Sequence, residues 1–465
     1  MLDKIKIQIF HFEKKYLLEE MIKIFLRPDQ YVLVSEDYVQ QDGETFLVFN
    51  KENFSDKNQI KRQIYDQLSA LTGVYPQWGI LTGIRPVKLT GEIYEKVGSE
   101  NAVLQILMSE YYLTEEKAKL LIEMYFHQQR TCGKAVPKSA GVYIGIPFCP
   151  TRCVYCSFAS NQVADSEIAR YFEALLKEIA YVGRRMQECG MMAETIYVGG
   201  GTPTTLSAEQ LRILLQRVKQ NFDLMALREL TVEAGRPDTI TAEKLMVLKE
   251  AGVDRISINP QSMHEKTLER IGRNHKPEDI ISAFEMAKKH GFSSINADLI
   301  AGLPDESEED FARSLKEIIA LGPDNITVHC LAVKRASRLV DIDKDFHYKQ
   351  ADFVSAQLSE SRQILKDAGY IPYYLYRQKH MAGAFENTGY CKKDKDCIYN
   401  VRIMDEHQTI IALGAGGITK VYYPEENRLE RVPNVTNYQE YIARIEEMLD
   451  RKEKNLFMEV EKWQS

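Results

Sequence analysis

Between about residues 141 and 330 the chain repeats one unit, a short apolar segment followed by an amphipathic one, and nothing else in the sequence restricts the fold as much. The apolar segments Gly141–Ile146, Thr195–Val198, Glu229–Val232, Arg255–Ile258, Ser294–Leu299 and Asn325–Cys330 have strand length. Between them, 167–188, 208–222, 242–251, 278–290 and 308–321 place apolar residues at helical spacing. Short apolar strands alternating with amphipathic helices pair in parallel through right-handed crossovers, so an α/β fold is expected, an open or closed barrel. The unusual polar and glycine-rich elements all lie just after an expected strand. In parallel barrels that rim carries the active site, because the βα-loops converge there.

A chain of 465 residues exceeds one ordinary core, so flanking domains are expected. Residues 1–137 read as a small α+β domain. It begins with a strand in KIKIQIFHF and a helix near Lys15–Phe25, followed by a strand pair at about 31–34 and 45–49. Helices are then expected over 52–71, 88–97 and 115–129. The repeat occupies 138–335 as a partial (β/α)6 barrel. Residues 336–465 break it and read as a separate α+β lobe covering the substrate. That segment has a helix at 353–368, the run YIPYYLYRQKHMAGAFENTGYCKKDKDCIYN, a glycine-rich IIALGAGGITK and a terminal helix at 438–451.

A formal net charge of -7 gives no general attraction for nucleic acid, and the basic KNQIKRQ stretch reads as a solvated helix face. No apolar run approaches the roughly 18 residues that span a bilayer, and the N-terminal twenty residues mix charges of both signs. The expectation is a soluble, cytoplasmic protein without an export signal or membrane insertion. Eight cysteines are too few for a disulfide scaffold, yet three fall within eight positions, which suggests a metal site in a reducing compartment.

Cys149-Pro-Thr-Arg-Cys153-Val-Tyr-Cys156 places three thiols on the loop after the first barrel strand. Three thiolates can hold three irons of a cubane and leave the fourth open. A structural zinc normally closes with four ligands, and residues 141–165 offer no fourth Cys or His. Gly199-Gly200-Gly201-Thr202-Pro203 follows the second strand. It is either a turn or a place where a ligand meets the backbone closely. Glu233, Gln261 and Asp298 sit at or near the ends of the third, fourth and fifth strands. Each could be a satisfied barrel-end polar group or part of a site.

The CxxxCxxC motif resembles the signature of the radical S-adenosylmethionine (SAM) superfamily. The strings GVYIGIPFCPTRCVYCSF, IYVGGGTPTTL, DRISINPQSM and NADLIAGLPDES resemble its oxygen-independent coproporphyrinogen III oxidase-like group, which includes haem chaperones. PQWGILTGIRPVKL, YYLYRQKHMAGAFENTGY and IIALGAGGITK extend the likeness, of the HemZ type, over most of the chain. The resemblance implies a [4Fe–4S] cluster on Cys149, Cys153 and Cys156. It also implies SAM contacts at Tyr143, Tyr155, Gly200, Gly201, Thr202, Glu233, Gln261, Arg273, Asp298 and Ala332. A 5′-deoxyadenosyl radical, a low-potential electron donor such as flavodoxin or ferredoxin, and a tetrapyrrole substrate complete what it implies.

On that likeness the reaction is oxidative decarboxylation of coproporphyrinogen III to protoporphyrinogen IX. The alternatives are a haem-binding chaperone and a radical SAM methyltransferase or other tetrapyrrole-modifying enzyme. The oxidase branch carries a fourth cysteine where this chain has Phe158, a match to the chaperone branch instead. Buried propionates need cationic partners, for which Arg377, Lys379 and His380 are candidates, surface solvation being the other reading. Cys391 and Cys397 read as a redox pair, as metal ligands, or as free cysteines in a charged loop. Cys132, Cys189 and Cys330 read as packing residues. His329 faces either the rim or the core.

Overall fold

A computed structural model describes residues 4–12, 15–50, 56–83, 85–158, 160–332, 337–339, 351–378 and 385–464. The chain forms two compact units. One comprises residues 1–127 with the described parts of 343–355 and 375–387, and the other comprises 128–342, 356–374 and 388–465.

In the first unit β1 (Ile5–Phe10) lies at the centre of a three-stranded sheet. β2 (Tyr31–Val34) and β3 (Phe46–Asn50) flank it, and both run parallel to it. The expected pairing of β2 with β3 does not occur. The apolar β1 takes the central place instead, and its two edges satisfy the backbones of both neighbours. α1 (Lys15–Phe25) and α2 (Lys57–Thr72) supply the core of this sheet: Leu18, Met21, Ile22, Ile60, Ile64 and Leu68 pack with Ile7, Ile9 and Phe49. A second core joins α3 (Pro86–Val97), α4 (Glu100–Ser109) and α5 (Glu115–Thr131) around Trp78. α4, absent from the sequence reading, starts at Ser99, whose hydroxyl accepts from the Ala102 amide.

The second unit carries the repeat. β4 (Ser139–Ile146), β5 (Met192–Gly200), β6 (Glu229–Glu233), β7 (Arg255–Gln261), β8 (Ser294–Ala301) and β9 (Asn325–Cys330) pair in sequence order, all parallel. α6 (Asp165–Glu188), α7 (Ala208–Asn221), α8 (Ala242–Glu250), the short α9 (Glu265–Arg270), α10 (Pro277–His290) and α11 (Glu308–Ala320) connect them. The expected strand and helix order is therefore present, as a partial barrel. Side chains alternate between faces along a strand. One face carries buried aliphatics such as Val142, Ile144, Ile196, Val198, Ile256, Ile326 and Val328. The opposite, inner face carries Tyr143, Tyr197, Thr231, Glu233, Ser257, Asn259, Asn296, Asp298, Thr327 and His329.

After β9 come α12 (Ala351–Asp367), β10 (Ile371–Arg377), β11 (Glu386–Cys391), α13 (Ile398–Asp405), β12 (Thr409–Leu413), β13 (Ile418–Tyr423) and β14 (Arg428–Pro433). Residues 336–465 are not one separate lobe, because these strands extend the barrel sheet at both edges. β11 runs antiparallel to β9, and β12 runs parallel to β4 with β13 and β14 beyond it. Left bare, β4 and β9 would expose unpaired backbone groups, and the C-terminal strands cover both. Gly414 makes the β12 contact possible: a Cβ there would lie 2.5 Å from the Gly145 carbonyl oxygen. The terminal helix breaks at Arg444 into α14 (Tyr438–Ala443) and α15 (Ile445–Lys452), with α16 (Met458–Gln464) after a π turn. No described helix is long and apolar enough to cross a membrane.

Candidate active site at the C-terminal ends of the parallel strands

Cys149, Cys153 and Cys156 lie on the loop joining β4 to α6, fixed by several anchors. The Val154 amide donates to the Ile271 carbonyl at 3.0 Å, and the Ser337 hydroxyl donates to the Val154 carbonyl at 2.9 Å. The buried Arg236, itself paired with Asp238, donates to both the carbonyl and the hydroxyl of Thr151, at 3.1 and 2.7 Å. Arg273 donates to the Tyr155 hydroxyl at 3.2 Å and also reaches the Cys153 sulfur. Burial pushes the Cys149 thiol up to about 11 and raises Cys156 as well, so both are protonated thiols until a metal displaces the protons.

The glycine run packs directly on this loop. The Gly201 amide donates to the Ile146 carbonyl and the Thr202 amide to the Phe148 carbonyl, each at 2.8 Å. A Cβ at Gly201 would fall 2.5 Å from the Phe148 oxygen and 3.0 Å from the Cys149 sulfur, so only glycine fits. Thr202 places its hydroxyl 3.4 Å from the same sulfur. Gly200 takes φ +118° and donates its amide to Glu233 at 3.2 Å.

Glu233 ends β6 with a second donor, the Tyr197 hydroxyl at 2.7 Å. Burial dominates nevertheless and pushes its carboxyl up to about 7, with Asp298 adding to the rise. Asp298 behaves differently. Burial works to raise it, but His329, Asn296 and Thr327 together hold it below the usual carboxylate range. Gln261 sits past a bulge at the end of β7 with φ +69°, a conformation that side-chain-bearing residues rarely adopt, and its buried Oε1 has no protein partner. The buried Arg273 Nε and both ring nitrogens of the buried His275 also lack hydrogen-bond partners. Unpaired buried polar atoms are costly, and their concentration around the cysteine loop fits a rim shaped for a polar ligand.

Tyr143, Tyr155, Gly200, Gly201, Thr202, Glu233, Gln261, Arg273, Asp298 and Ala332 all lie on or just beyond β4–β9 and their loops, within one unit. Sequence reasoning missed Arg236, His275 and the tyrosine stack. Tyr197 stacks on Tyr399 with centroids 4.5 Å apart, and Tyr143 lies 6.3 Å from each. The first two stand in the post-strand segments where a search was warranted. Tyr399 gave no such signal, because α13 reaches the barrel only through the fold.

Several expectations change. Arg377 is not solvated: it is buried in the first unit, donating to the Leu81 carbonyl with its guanidinium 4.9 Å from the Trp78 ring centroid. Lys379 and His380 lie outside the described residues. Cys391 and Cys397 are not in an exposed charged loop. They are buried free thiols at the end of β11 and the start of α13, and Cys397 donates to Glu229 at 3.2 Å. Cys132, Cys189 and Cys330 are buried thiols outside any disulfide. Phe158 is exposed beside the cysteine loop.

Residues 143–318 match the family model described as the radical SAM superfamily. The oxygen-independent coproporphyrinogen-III oxidase-like protein HemZ of Bacillus subtilis is 39% identical over 86% of this chain and 81% of its own length. The haem chaperone HemW of Escherichia coli is 31% identical over 61% of this chain and 71% of its own. Among solved structures, coproporphyrinogen III oxidase (HemN) from Escherichia coli, described as a radical SAM enzyme, shares the fold. Its TM-score is 0.54 at 23% identity, over 70% of this chain and 73% of that one.

The class defined by this fold and rim is the radical SAM enzyme, and its cofactors are a [4Fe–4S] cluster and SAM. The chain belongs to the oxygen-independent coproporphyrinogen III oxidase-like group of that superfamily.

Proposed function

We propose that Cys149, Cys153 and Cys156 hold the [4Fe–4S] cluster, that the surrounding rim holds SAM, and that the substrate is coproporphyrinogen III, whose propionates are oxidatively decarboxylated to vinyl groups. The observation that carries this reading is the convergence of three thiols, a glycine-only contact and several orphaned polar atoms on one end of β4–β9. When bound, the cluster and SAM supply a 5′-deoxyadenosyl radical able to take a hydrogen atom from a propionate β-carbon.

The protein's part is binding and orientation. Arg273 ties Tyr155 and Cys153 to the β7 side of the barrel through the Asn259 carbonyl, which it reaches at 2.7 Å. Gly200 and Gly201 bring backbone against the cysteine loop, leaving room for the methionyl end of SAM. Glu233 offers a carboxyl that titrates near neutrality to an amino group, Gln261 an unpartnered amide oxygen, and Asp298 an ionised carboxylate. Relatives named for coproporphyrinogen oxidation and for haem support a tetrapyrrole. A low-potential reductant is the expected electron source for radical formation, and a separate electron acceptor takes the electron left when carbon dioxide departs.

The second reading is a haem-binding chaperone, which Phe158 favours because it occupies the place of the oxidase branch's fourth cysteine. Anaerobic incubation with SAM, a low-potential reductant and coproporphyrinogen III separates the two. 5′-Deoxyadenosine together with a tetrapyrrole lighter by carbon dioxide and two hydrogens for each vinyl group formed supports the oxidase. Stoichiometric haem binding without vinyl product supports the chaperone.

A further inference from the structure

We infer that Tyr197 is a positioning residue of the SAM site, its hydroxyl fixing the Glu233 carboxylate for the amino group of SAM, and that Tyr399 holds Tyr197 in place; this rests on the SAM reading above and assigns two residues within it. The resemblance that placed SAM contacts at Tyr143 and Glu233 assigned nothing to Tyr197 or Tyr399.

The two partners stand on neighbouring strands but not opposite one another. Tyr197 pairs in register with Thr231, so it reaches Glu233 diagonally, two residues further along β6. Gly199 leaves the gap this needs: a Cβ there would lie 2.8 Å from the Tyr197 ring and 3.0 Å from the Glu233 carboxyl carbon. The Tyr197 hydroxyl donates to Glu233 Oε1 at 2.7 Å, and the Gly200 amide donates to Oε2 at 3.2 Å. A carboxyl tied on both oxygens is fixed in orientation, and each oxygen keeps a lone pair for a ligand N–H.

Tyr197 is itself held by a ring from a distant part of the chain. Tyr399 stacks on it with centroids 4.5 Å apart and planes 23° off parallel, within the range of aromatic stacking. α13 carries Tyr399 and is anchored to β5, the strand of Tyr197, by Arg402, which donates to both oxygens of Glu194 at 2.9 and 3.0 Å. Electrostatics make the hydroxyl matter. Glu233 faces Tyr143 from β4, Tyr197 and the Gly200 amide from β5, Asp298 from β8, His329 from β9 and Tyr399 from α13. Burial and Asp298 favour its neutral form, and the Tyr197 hydroxyl is the largest opposing influence, ahead of the Gly200 amide and His329. Burial and the Glu233 charge hold the Tyr197 phenol well above its ordinary range, so it remains a donor wherever Glu233 titrates.

The test titrates SAM calorimetrically into anaerobically reconstituted, unreduced holoprotein from about pH 6 to about pH 9, for wild type, Tyr197→Phe, Tyr399→Phe and Tyr399→Leu. Wild-type affinity should rise through about pH 7. Tyr197→Phe should move that rise upward by about one pH unit, weaken SAM about fivefold at neutrality and approach wild type at the alkaline end. Tyr399→Leu should move it the same way by less, and Tyr399→Phe, which keeps the ring, should leave it in place. Iron content and the cluster spectrum should match wild type in all three variants. Superimposable curves for wild type and Tyr197→Phe overturn the assignment, as does a loss of affinity equal at every pH or a loss of iron, either of which would make Tyr197 a packing residue. A Tyr399→Leu curve identical to wild type overturns the part given to Tyr399, and wild-type affinity that is flat across the range overturns the whole. Wild type that holds the cluster but binds no SAM at any pH overturns the SAM reading itself, and this assignment falls with it.

Discussion

The five-residue strand β6 carries a glutamate at each end, and the two live in opposite circumstances. Glu229, at the floor of the barrel, accepts from the Ile398 amide at 2.9 Å, the Tyr399 amide at 3.4 Å, Thr231 at 3.2 Å and Cys397, with the Arg255 guanidinium 3.5 Å away. Glu233, at the mouth, has one hydroxyl and one amide donor and a carboxyl pushed up to about 7. The floor is saturated, and the mouth is left short of donors. The same contrast holds on β5, where Glu194 near the floor gathers Arg402, Arg228 and Gln408, while its other end carries glycines and no charged side chain. Conservation of charge balance below and its relaxation above is what separates a barrel's stabilising end from its chemical end.

The largest expected effect breaks the floor. Glu229→Ala strands Arg255 and uncaps α13, and should lower stability by about 3–5 kcal/mol, read by urea denaturation, with SAM affinity of the folded fraction unchanged. A loss of SAM affinity without destabilisation would erase the distinction between the ends.

Glu306 sharpens the picture of the mouth. It accepts from Ser262, its Oε2 has no partner, and burial pushes it up to about 7 from an ordinary 4.5. Such a raised acid contributes stability that is full below about pH 4.5 and is lost as pH climbs through 7. Glu306→Gln should therefore match wild type near pH 4.5 and exceed it at pH 8 by at most about 3 kcal/mol. Thermal melts across that range check this.

Glu233→Gln acts on function. Wild-type affinity for SAM should strengthen as pH passes about 7 and the carboxylate forms, whereas the glutamine variant should stay flat and be weaker by about tenfold above that pH. Isothermal titration with anaerobic protein measures both. The smallest effect is a control far from either end: Arg444→Ala removes exposed pairs to Glu440 and Glu447 and should shift stability by no more than about 0.5 kcal/mol.

Much of this was legible in the sequence for identifiable reasons. The strands β4–β9 bury one face against helices, so their aliphatic runs stood out, and α1 and β2 matched their expected bounds because amphipathic spacing alone defines them. The cysteine loop and GGGTP were legible because both lie in local strings. Long-range pairing was not. Nothing in IIALGAGGITK announces that Thr409–Leu413 will run parallel to β4, and nothing in YIPYYLYRQ announces that Arg377 will be buried beside Trp78. β2 and β3 read as partners because they are neighbours in sequence, yet β1 came between them. Tyr399 and His329 gained meaning only from what faces them.

The most direct test of the central claim is iron analysis with electron paramagnetic resonance on anaerobically reconstituted, dithionite-reduced protein, with and without SAM. About four irons per chain, a reduced-cluster signal that shifts when SAM is added, and loss of both iron and signal in Cys149→Ala, Cys153→Ala and Cys156→Ala are the predicted results. Zinc or no metal in the wild type, or iron and signal unaffected by replacing those three cysteines, would contradict it.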